Sequence, residues 1–341
     1  ETFAYFKEQK VDIKVISGDN PLTVAAIAKK AGISGTENYV DASSLKTDEE
    51  LETAILNYTI FGRVTPEQKR KFVQILKKNG KTVAMTGDGV NDCLALKDAD
   101  CSIAMATGSD AAMQISELVL LESDFSKMPE IVLEGRQVVN NLERSGSLFL
   151  VKNIFSFLIS ILAIFFQVKY PLQPSQVSLI SMFTIGIPAF LLSQVPNKEI
   201  IKGNFLKNIL YKAVPGGLVG TIIVAAMVIF GTIFDASTSD ISSASTILLA
   251  IIGLMVLLNI SKPMDKYKWG IWLLCTIGLI LSILFLKDLF AITENMSLQG
   301  ILLCINFALI SEVILRYLTK LFELLSYLKE KIKKFIQKRH H

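Results

Sequence analysis

Cysteine is scarce in this sequence. The 341 residues include four cysteines, and no two of them form a Cys-x-x-Cys pair. Two of the four, Cys275 and Cys304, lie in long apolar runs. This pattern is typical of small buried hydrophobic side chains in a reducing compartment.

Two common ligand-binding motifs are also missing. Gly80-Lys81-Thr82 resembles the end of a phosphate-binding P-loop, but that motif requires a glycine where this chain has Ile75. Asp98 and Asp100 suggest a calcium loop, yet no glycine or terminal glutamate follows them at the required spacing. We interpret these two aspartates as solvated turn residues.

Charge is sparse in the second half of the chain. The formal net charge is only +4 and the lysines do not form a nucleic-acid-binding face, so no nucleic-acid partner is expected.

The hydrophobic fraction of 51% and the mean hydropathy of +0.46 are high for a soluble protein of this length. Charged and apolar segments alternate up to about Arg144, and long uncharged runs follow Leu148. We therefore expect an α/β domain followed by a membrane domain.

Six apolar stretches in the second half are each about long enough to cross a bilayer as a helix. They cover residues 148–166, 175–195, 213–234, 244–260, 270–286 and 298–318. Loop 196–212 carries four lysines and loop 261–269 carries three, whereas loops 234–243 and 288–297 carry no Lys or Arg. This alternation predicts a multi-pass plasma-membrane protein whose amino-terminal domain, lysine-bearing loops and carboxyl tail are cytoplasmic.

The predicted boundaries follow from these patterns. We expect a partial cytoplasmic domain at 1–128, a stalk helix at 129–147, a transmembrane domain at 148–319 and a basic amphipathic tail at 320–341. The tail is expected to lie along the lipid bilayer, with a plain solvated basic helix as the alternative. Glu1-Thr2-Phe3 shows neither an initiator Met nor a signal-peptide pattern, so we expect the chain to be a fragment.

Strands alternate with helices in the first domain, which predicts a mostly parallel sheet with right-handed crossovers. The predicted strands cover residues 11–17, 58–64, 82–86, 101–105 and 118–121. Asn20-Pro21 and the capping box Thr65-Pro66-Glu67-Gln68 each begin a helix. Ligands of such sheets bind beyond the carboxyl ends of the strands, where three segments of this chain should meet.

The central segment of that site is Thr86-Gly87-Asp88-Gly89-Val90-Asn91-Asp92, which reads as a strand end, a glycine turn and a helix start. Asp88 is a candidate ligand of a hard cation, and the first helical turn at Asn91 and Asp92 favours an anion. Ser17 and Gly18 supply further donors, and Lys69 supplies a positive charge. Together these residues predict a phosphate pocket with Mg²⁺, although a solvated lysine or aspartate is the ordinary alternative for each alone.

These segments resemble the P-type ATPases, whose phosphorylation domain has the haloacid-dehalogenase fold. The matching segments are Ser17-Gly18-Asp19-Asn20, Arg63-Val64-Thr65-Pro66-Glu67-Gln68-Lys69, Thr86 to Asp92, Ala95-Leu96-Lys97-Asp98-Ala99-Asp100 and Ala104-Met105. The resemblance implies an α/β haloacid-dehalogenase-like domain followed by six transmembrane helices, and ATP as the substrate. It also implies site roles: Ser17, Gly18 and Asp19 would hold the phosphoryl group, Lys69 would neutralise its charge, Asp88 would bind Mg²⁺, and Asn91 and Asp92 would complete the pocket.

The departures from this family are as informative. The Asp-Lys-Thr-Gly-Thr run that carries the family's nucleophile is absent, as are the ATP-binding domain, the actuator domain and the first four membrane helices. The chain alone therefore cannot form an aspartyl phosphate. We interpret it as the carboxyl-terminal part of a pump that resembles bacterial calcium-type P-type ATPases. The missing amino-terminal half of that pump is an expected partner of this chain.

The transported cation is less defined by the sequence. Candidate ligands in the spans are Asn153, Ser156, Ser181 and Thr184, while Ile185 stands where calcium pumps carry an aspartate. Glu312 is the only carboxylate within the predicted spans. Ca²⁺ is placed first by resemblance, and Mg²⁺, K⁺, a polyamine or a lipid remain alternatives. Each polar residue could instead bond a neighbouring helix.

Two other classes of function share part of this sequence pattern. A membrane-anchored phosphatase of the same fold would need its own Asp-x-Asp ahead of the first strand, which the sequence lacks. A non-catalytic truncated membrane subunit, binding Mg²⁺ or a partner, remains open.

Overall fold

The computed structural model describes residues 1–201 and 203–339, with the backbone alone at 329, 330 and 332–339. Lys202, His340 and His341 lie outside this range. Most side chains of the predicted tail, residues 320–341, also lie outside it. The chain divides into one unit at Glu1–Leu133 and a second that begins at Glu134. Each unit has its own core.

The first unit alternates helices and strands. The helices are α1 (Thr2–Glu8), α2 (Pro21–Lys30), α3 (Asp48–Asn57), α4 (Pro66–Lys78), α5 (Cys93–Asp98) and α6 (Asp110–Ile115). The strands are β1 (Val15–Ile16), β2 (Tyr39–Asp41), β3 (Ile60–Gly62), β4 (Ala84–Gly87), β5 (Cys101–Met105) and β6 (Leu118–Leu120). The capping boxes at Thr47 and Thr65 and the Asn20 cap begin α3, α4 and α2, as local sequence chemistry dictates.

All strand pairs in this unit are parallel, which confirms the predicted fold class. The strands form two three-stranded sheets, ordered β1-β3-β2 and β4-β5-β6, where the sequence had suggested one. Strand β2 was not predicted, because Tyr39-Val40-Asp41 lies in a polar stretch of the sequence without an apolar run. Strands β1 and β4 are only partly buried, whereas Ile60, Phe61 and Ile103 of the central strands are enclosed.

Helix α4 connects the two sheets. Its apolar face packs Phe72 against Phe61 of β3, with ring centroids 4.9 Å apart. Its polar face contacts α5, where Arg70 and Gln74 both donate hydrogen bonds to Asp98 at 2.7 and 2.6 Å. One helix therefore ties the core of one sheet to the end of α5.

The second unit contains six helices, or helix pairs, that are long and apolar enough to span a membrane, which confirms the predicted number of spans. They are α7 (Met128–Phe165), α8 (Pro174–Ser181) with α9 (Ile187–Ser193), α10 (Phe205–Ile233), α11 (Thr238–Ile260), α12 (Lys266–Phe285) and α13 (Leu298–Arg339). Helix α7 is continuous through the expected stalk and the first span, and α13 continues from the last span into the tail.

The second span is interrupted in its middle. Residues Met182–Gly186 form a π-helical turn between α8 and α9, immediately before Pro188, whose ring removes a backbone donor. The turn packs tightly: a Cβ on Gly278 would lie 2.4 Å from the Phe183 ring, and one on Gly253 would lie 2.7 Å from Thr184. Such turns occur often at functional sites, and this one lies among three packed helices.

Replacing Asp98 by Asn should loosen the contact between α4 and α5 at neutral pH and have little effect in acid. The hydrogen bond from Arg70 is the main reason that the folded-state pKa of Asp98 lies below its ordinary value. A carboxylate with a depressed pKa stabilises the fold above its unfolded-state pKa, and this contribution is lost as the pH falls through the folded-state pKa. The loss at neutral pH should not exceed about 1 kcal/mol, as for other largely exposed pairs.

Hydrogen-exchange protection of residues 66–98, compared near neutral pH and at about pH 3, measures this effect. The matched control is Asp48→Asn, because Asp48 pairs with Lys71 of the same helix at 2.6 Å on an exposed surface away from α5. An equal loss of protection in both variants would contradict the assigned role of Asp98.

Candidate functional site

The loop after β1 is held by the loop after β3. The Ser17 hydroxyl accepts a hydrogen bond from the Asp19 N–H and donates one to the Asp19 carboxylate, both at 3.2 Å. The backbone N–H of Val64 donates to the Ser17 carbonyl at 3.0 Å, and that of Arg63 donates to the Asp19 carbonyl at 2.8 Å. Ser17, Gly18 and Asp19 therefore form a fixed turn at the carboxyl end of a parallel strand.

Lys69 and Asp92 form a largely buried ion pair. The Lys69 Nζ lies 2.7 Å from the Asp92 Oδ1, and the two side chains are 13% and 10% exposed. The second carboxylate oxygen of Asp92 accepts a hydrogen bond from the Gly89 N–H at 3.3 Å. A Cβ on Gly87 would lie 2.6 Å from the Asp92 Cβ, so glycine is required for this close approach. The structure thus brings two predicted site residues together, one from the helix that follows the first sheet and one from the turn that follows β4.

Asp88 has an exposed side chain whose carboxylate has no hydrogen-bond or ion-pair partner among the described residues. Its backbone is held more closely, because its carbonyl accepts a hydrogen bond from the Ser109 N–H at 2.7 Å. A Cβ on Gly108 would lie 2.6 Å from that same carbonyl oxygen. Asp88 is thus a fixed backbone position with a free carboxylate, and Asn91 is exposed in the same loop.

This donor set fits Mg²⁺ in part. Within the described residues no group of three or more His, Cys, Asp or Glu side chains surrounds a common point. Mg²⁺ is usually held by one or two carboxylates together with waters and substrate phosphates, so one free carboxylate at Asp88 is compatible with it. The remaining ligands must come from outside the described side chains.

Two site features were missed by sequence reasoning. Arg63 adopts a left-handed backbone with φ +50° and pairs with Asp41 at 2.7 Å. A hydrogen bond from the Ser43 hydroxyl, with a smaller contribution from Arg63, lowers the pKa of Asp41. The contact of Gly108 with Asp88 was also missed, although a glycine three residues after the predicted strand 101–105 was a usable signal.

A cavity of about 50 Å³ lies within the membrane unit. Ser156, Ser181 and Thr184 line it, whereas Asn153 is exposed and does not. Two of these hydroxyls already donate to their own helix, Ser181 to the Val177 carbonyl at 2.7 Å and Thr184 to the Ile180 carbonyl at 2.8 Å. Their oxygen lone pairs remain free to accept or to ligate.

Lys152 also lines this cavity and was not predicted to do so. No carboxylate lines it with Lys152 among the described residues. Glu312, the one carboxylate noted in the predicted spans, pairs instead with Arg316 one turn along α13. The electrostatics of this part of the membrane domain are therefore positive.

Comparison with known proteins identifies the family of this chain. Residues 1–100 match the family model of haloacid dehalogenase-like hydrolases. The probable cation-transporting ATPase exp7 of Streptococcus pneumoniae is 39% identical over 334 residues, which cover 94% of this chain. The calcium-transporting ATPase CtpE of Mycobacterium tuberculosis is 43% identical over 286 residues, which cover 79% of this chain. The chain belongs to the P-type ATPase family.

The matches span only part of these P-type ATPases. The aligned region covers 43% of the Streptococcus protein and 35% of the Mycobacterium protein. Among solved structures, the catalytic domain of the CPx-ATPase CopB-B is 27% identical, covering 37% of this chain and 41% of that one, with a TM-score of 0.29. Family membership rests on the sequence relatives.

Replacing Lys69 by Met should destabilise the first unit of this P-type ATPase by about 3–5 kcal/mol, because Asp92 would keep a buried and unpaired charge. Adding Asp92→Asn should restore part of that loss, because the charge left unpaired is then removed. Protection factors for residues 66–98, measured in the single and double variants, test this coupling.

The double-mutant cycle includes Asp92→Asn alone as its fourth corner. If the loss of stability in the double variant equalled the sum of the losses in the two single variants, the Lys69–Asp92 contact would not be a coupled pair.

Proposed function

We propose that this chain is the carboxyl-terminal part of a P-type ATPase that couples ATP hydrolysis, through an aspartyl phosphate, to cation transport across the plasma membrane. The observation that carries this proposal is the meeting of Lys69 and Asp92 beside the free carboxylate of Asp88. These residues lie where parallel strands end, and the same chain continues into six candidate spans.

The nucleophilic aspartate is proposed to lie on a strand between β1 and β4. Each of these strands has one neighbour among the described residues, and each is only partly buried. Each also leads into a phosphate-site loop, at Ser17 and at Asp88 respectively. A parallel strand inserted there would join the two sheets and place its carboxyl end between the two loops.

The phosphoryl group would be held by this chain's own donors. The Ser17 hydroxyl and the Gly18 N–H would donate to its oxygens, with Asp19 fixing the turn and Asn91 adding an amide. Lys69 would contribute positive charge while keeping its bond to Asp92. Asp88 would hold Mg²⁺, which in such sites neutralises charge on the phosphate.

Ca²⁺ is the first candidate for the transported cation, because relatives such as CtpE carry that name. In this part of the pump Ca²⁺ would meet the oxygens of Ser156, Ser181 and Thr184 and backbone carbonyls near the π-helical turn. Ca²⁺ takes six to eight oxygen ligands, so carboxylates would have to come from helices outside this chain.

A different substrate is the second candidate, favoured by Lys152 in the cavity and by the lack of a lining carboxylate. Mg²⁺, K⁺, a polyamine and a lipid belong to this class.

The lysine-bearing loops support the proposed orientation. Lys198 precedes α10 and Lys207 lies in its first turn, while Lys262 precedes α12 and Lys266 is its first residue. If successive spans cross the membrane in alternate directions, these four lysines lie on the same side. Positive residues are retained on the cytoplasmic side of membrane proteins, so the first unit and the carboxyl tail are placed there as well.

The proposal predicts cation-stimulated ATP hydrolysis by the full-length parent protein in liposomes. Asp88→Asn should lower stimulated turnover by at least about 100-fold, because a charge that stabilises phosphoryl transfer is lost. The matched control is Asp12→Asn, an exposed aspartate ahead of β1, which should leave turnover unchanged. The readout is phosphate release with Ca²⁺, Mg²⁺, Mn²⁺, K⁺ or a polyamine.

Stimulation by one cation that disappears in Asp88→Asn would support both the pump and its substrate. Basal turnover that needs Asp88 without stimulation by any cation would overturn cation transport and leave the phosphoryl site standing. Full activity in Asp88→Asn would overturn the phosphoryl site itself.

A further inference from the structure

Arg144 of α7 is a buried cation that forms no ion pair with the residues the structure describes. Arg144 is 7% exposed, and its Nη1 is buried with no hydrogen-bond partner among the described residues. Among the described residues no carboxylate forms an ion pair with it. A buried guanidinium left unpaired is strongly destabilising. Such a group is therefore expected to meet a ligand or an anion.

None of the carboxylates near Arg144 forms an ion pair with it among the described residues. Glu143, the preceding residue, pairs with Lys212 at 2.5 Å and accepts a hydrogen bond from Asn208 at 3.1 Å. Glu199 and Asp265 act on the charge of Arg144 only at longer range, without an ion pair. The charge is thus compensated only from a distance.

Arg144 lines a cavity of about 160 Å³ at the end of the second unit that bears the lysine-rich loops. The other lining residues are Pro196, Asn197, Lys198, Glu199, Lys262, Pro263 and Lys268. Four of the lining side chains are basic and one is acidic. A cavity of about 150 Å³ can hold benzene, so this one has room for a phosphate group.

The wall of the cavity is built by specific contacts. The Asn140 side chain donates to the backbone carbonyls of Asn197 and Glu199 at 3.1 and 2.9 Å. The Asn141 side chain donates to the Ser193 carbonyl at 2.9 Å. On the opposite wall the Lys268 Nζ donates to the Pro263 carbonyl at 2.7 Å. Helix α7 therefore holds the loop after α9 in place around the arginine.

We propose that this cavity binds a phosphate-bearing anion, with the Arg144 guanidinium as its buried anchor and Lys198 and Lys262 at its rim. The planar guanidinium presents two parallel N–H groups that match phosphate oxygens, and the surrounding lysines balance more than one negative charge. The phosphate belongs either to the headgroup of an anionic phospholipid or to free inorganic phosphate. The site does not depend on the proposed ATPase activity.

Both sources can be tested on the same sample. The chain is placed in nanodiscs of phosphatidylcholine, with or without phosphatidylglycerol, and inorganic phosphate is titrated into the nanodiscs that lack the anionic lipid. The two tryptophans of the chain, Trp269 and Trp272, follow Lys268 on α12 and report binding through their fluorescence. A saturable change with phosphatidylglycerol identifies a lipid headgroup, and one with phosphate alone identifies a free anion.

Arg144→Gln should weaken the saturable response at least about tenfold, since a bond to a charged group is lost. Arg144→Lys keeps the charge but loses the planar pair of N–H donors, so its affinity should lie between that of Arg144→Gln and that of the parent protein.

The paired rim variant Lys198→Gln/Lys262→Gln should weaken binding without touching a buried residue, so it tests the site even if Arg144→Gln unfolds. Its matched control is a second exposed lysine beside the cavity, Lys266→Gln, which should bind as the parent does. Absence of a saturable response to either source overturns the proposal, and so does parental binding in the rim variant.

Discussion

The ion pair between Lys69 and Asp92 is the interaction on which the candidate phosphoryl site depends. Lys69 lies in the first turns of α4, directly after the first sheet, and Asp92 lies at the start of α5, directly after β4. One buried contact therefore joins the loops of two separate sheets. Separating the two side chains would leave a buried charge unpaired, which is unfavourable. The ion pair therefore helps to hold the loop of Asp92, which also carries Asp88 and Asn91.

The features that sequence predicted well are those with local causes. The capping box at Thr65 and Gln68 determines where α4 begins, and an uncharged run long enough to cross a bilayer must satisfy its backbone as a helix. Strand pairing has no such local cause. Strand β2 lies in a polar stretch without an apolar run and exists through its pairing with β3, so neither it nor the division into two sheets could be derived from periodicity.

The membrane cavity shows the same limit. Asn153 and Ser156 are three residues apart on α7, about 60° apart around the helix axis. That angle is enough for Ser156 to line the cavity while Asn153 is exposed, and only the packing of neighbouring helices decides which side chain faces inward. Lys152 lies next to Asn153 in sequence and reaches the cavity, so a site inferred from residue type alone missed its main charge.

Lys69 and Arg144 differ in how their charge is compensated. Lys69 has a carboxylate at bonding distance, and that pair is structural because both partners belong to the fold. Arg144 has a carboxylate next to it in sequence, but Glu143 is already bound to Lys212 and Asn208. Because Glu143 is bound elsewhere and a cavity lies beside the guanidinium, the proposed phosphate-bearing anion would supply the compensating negative charge.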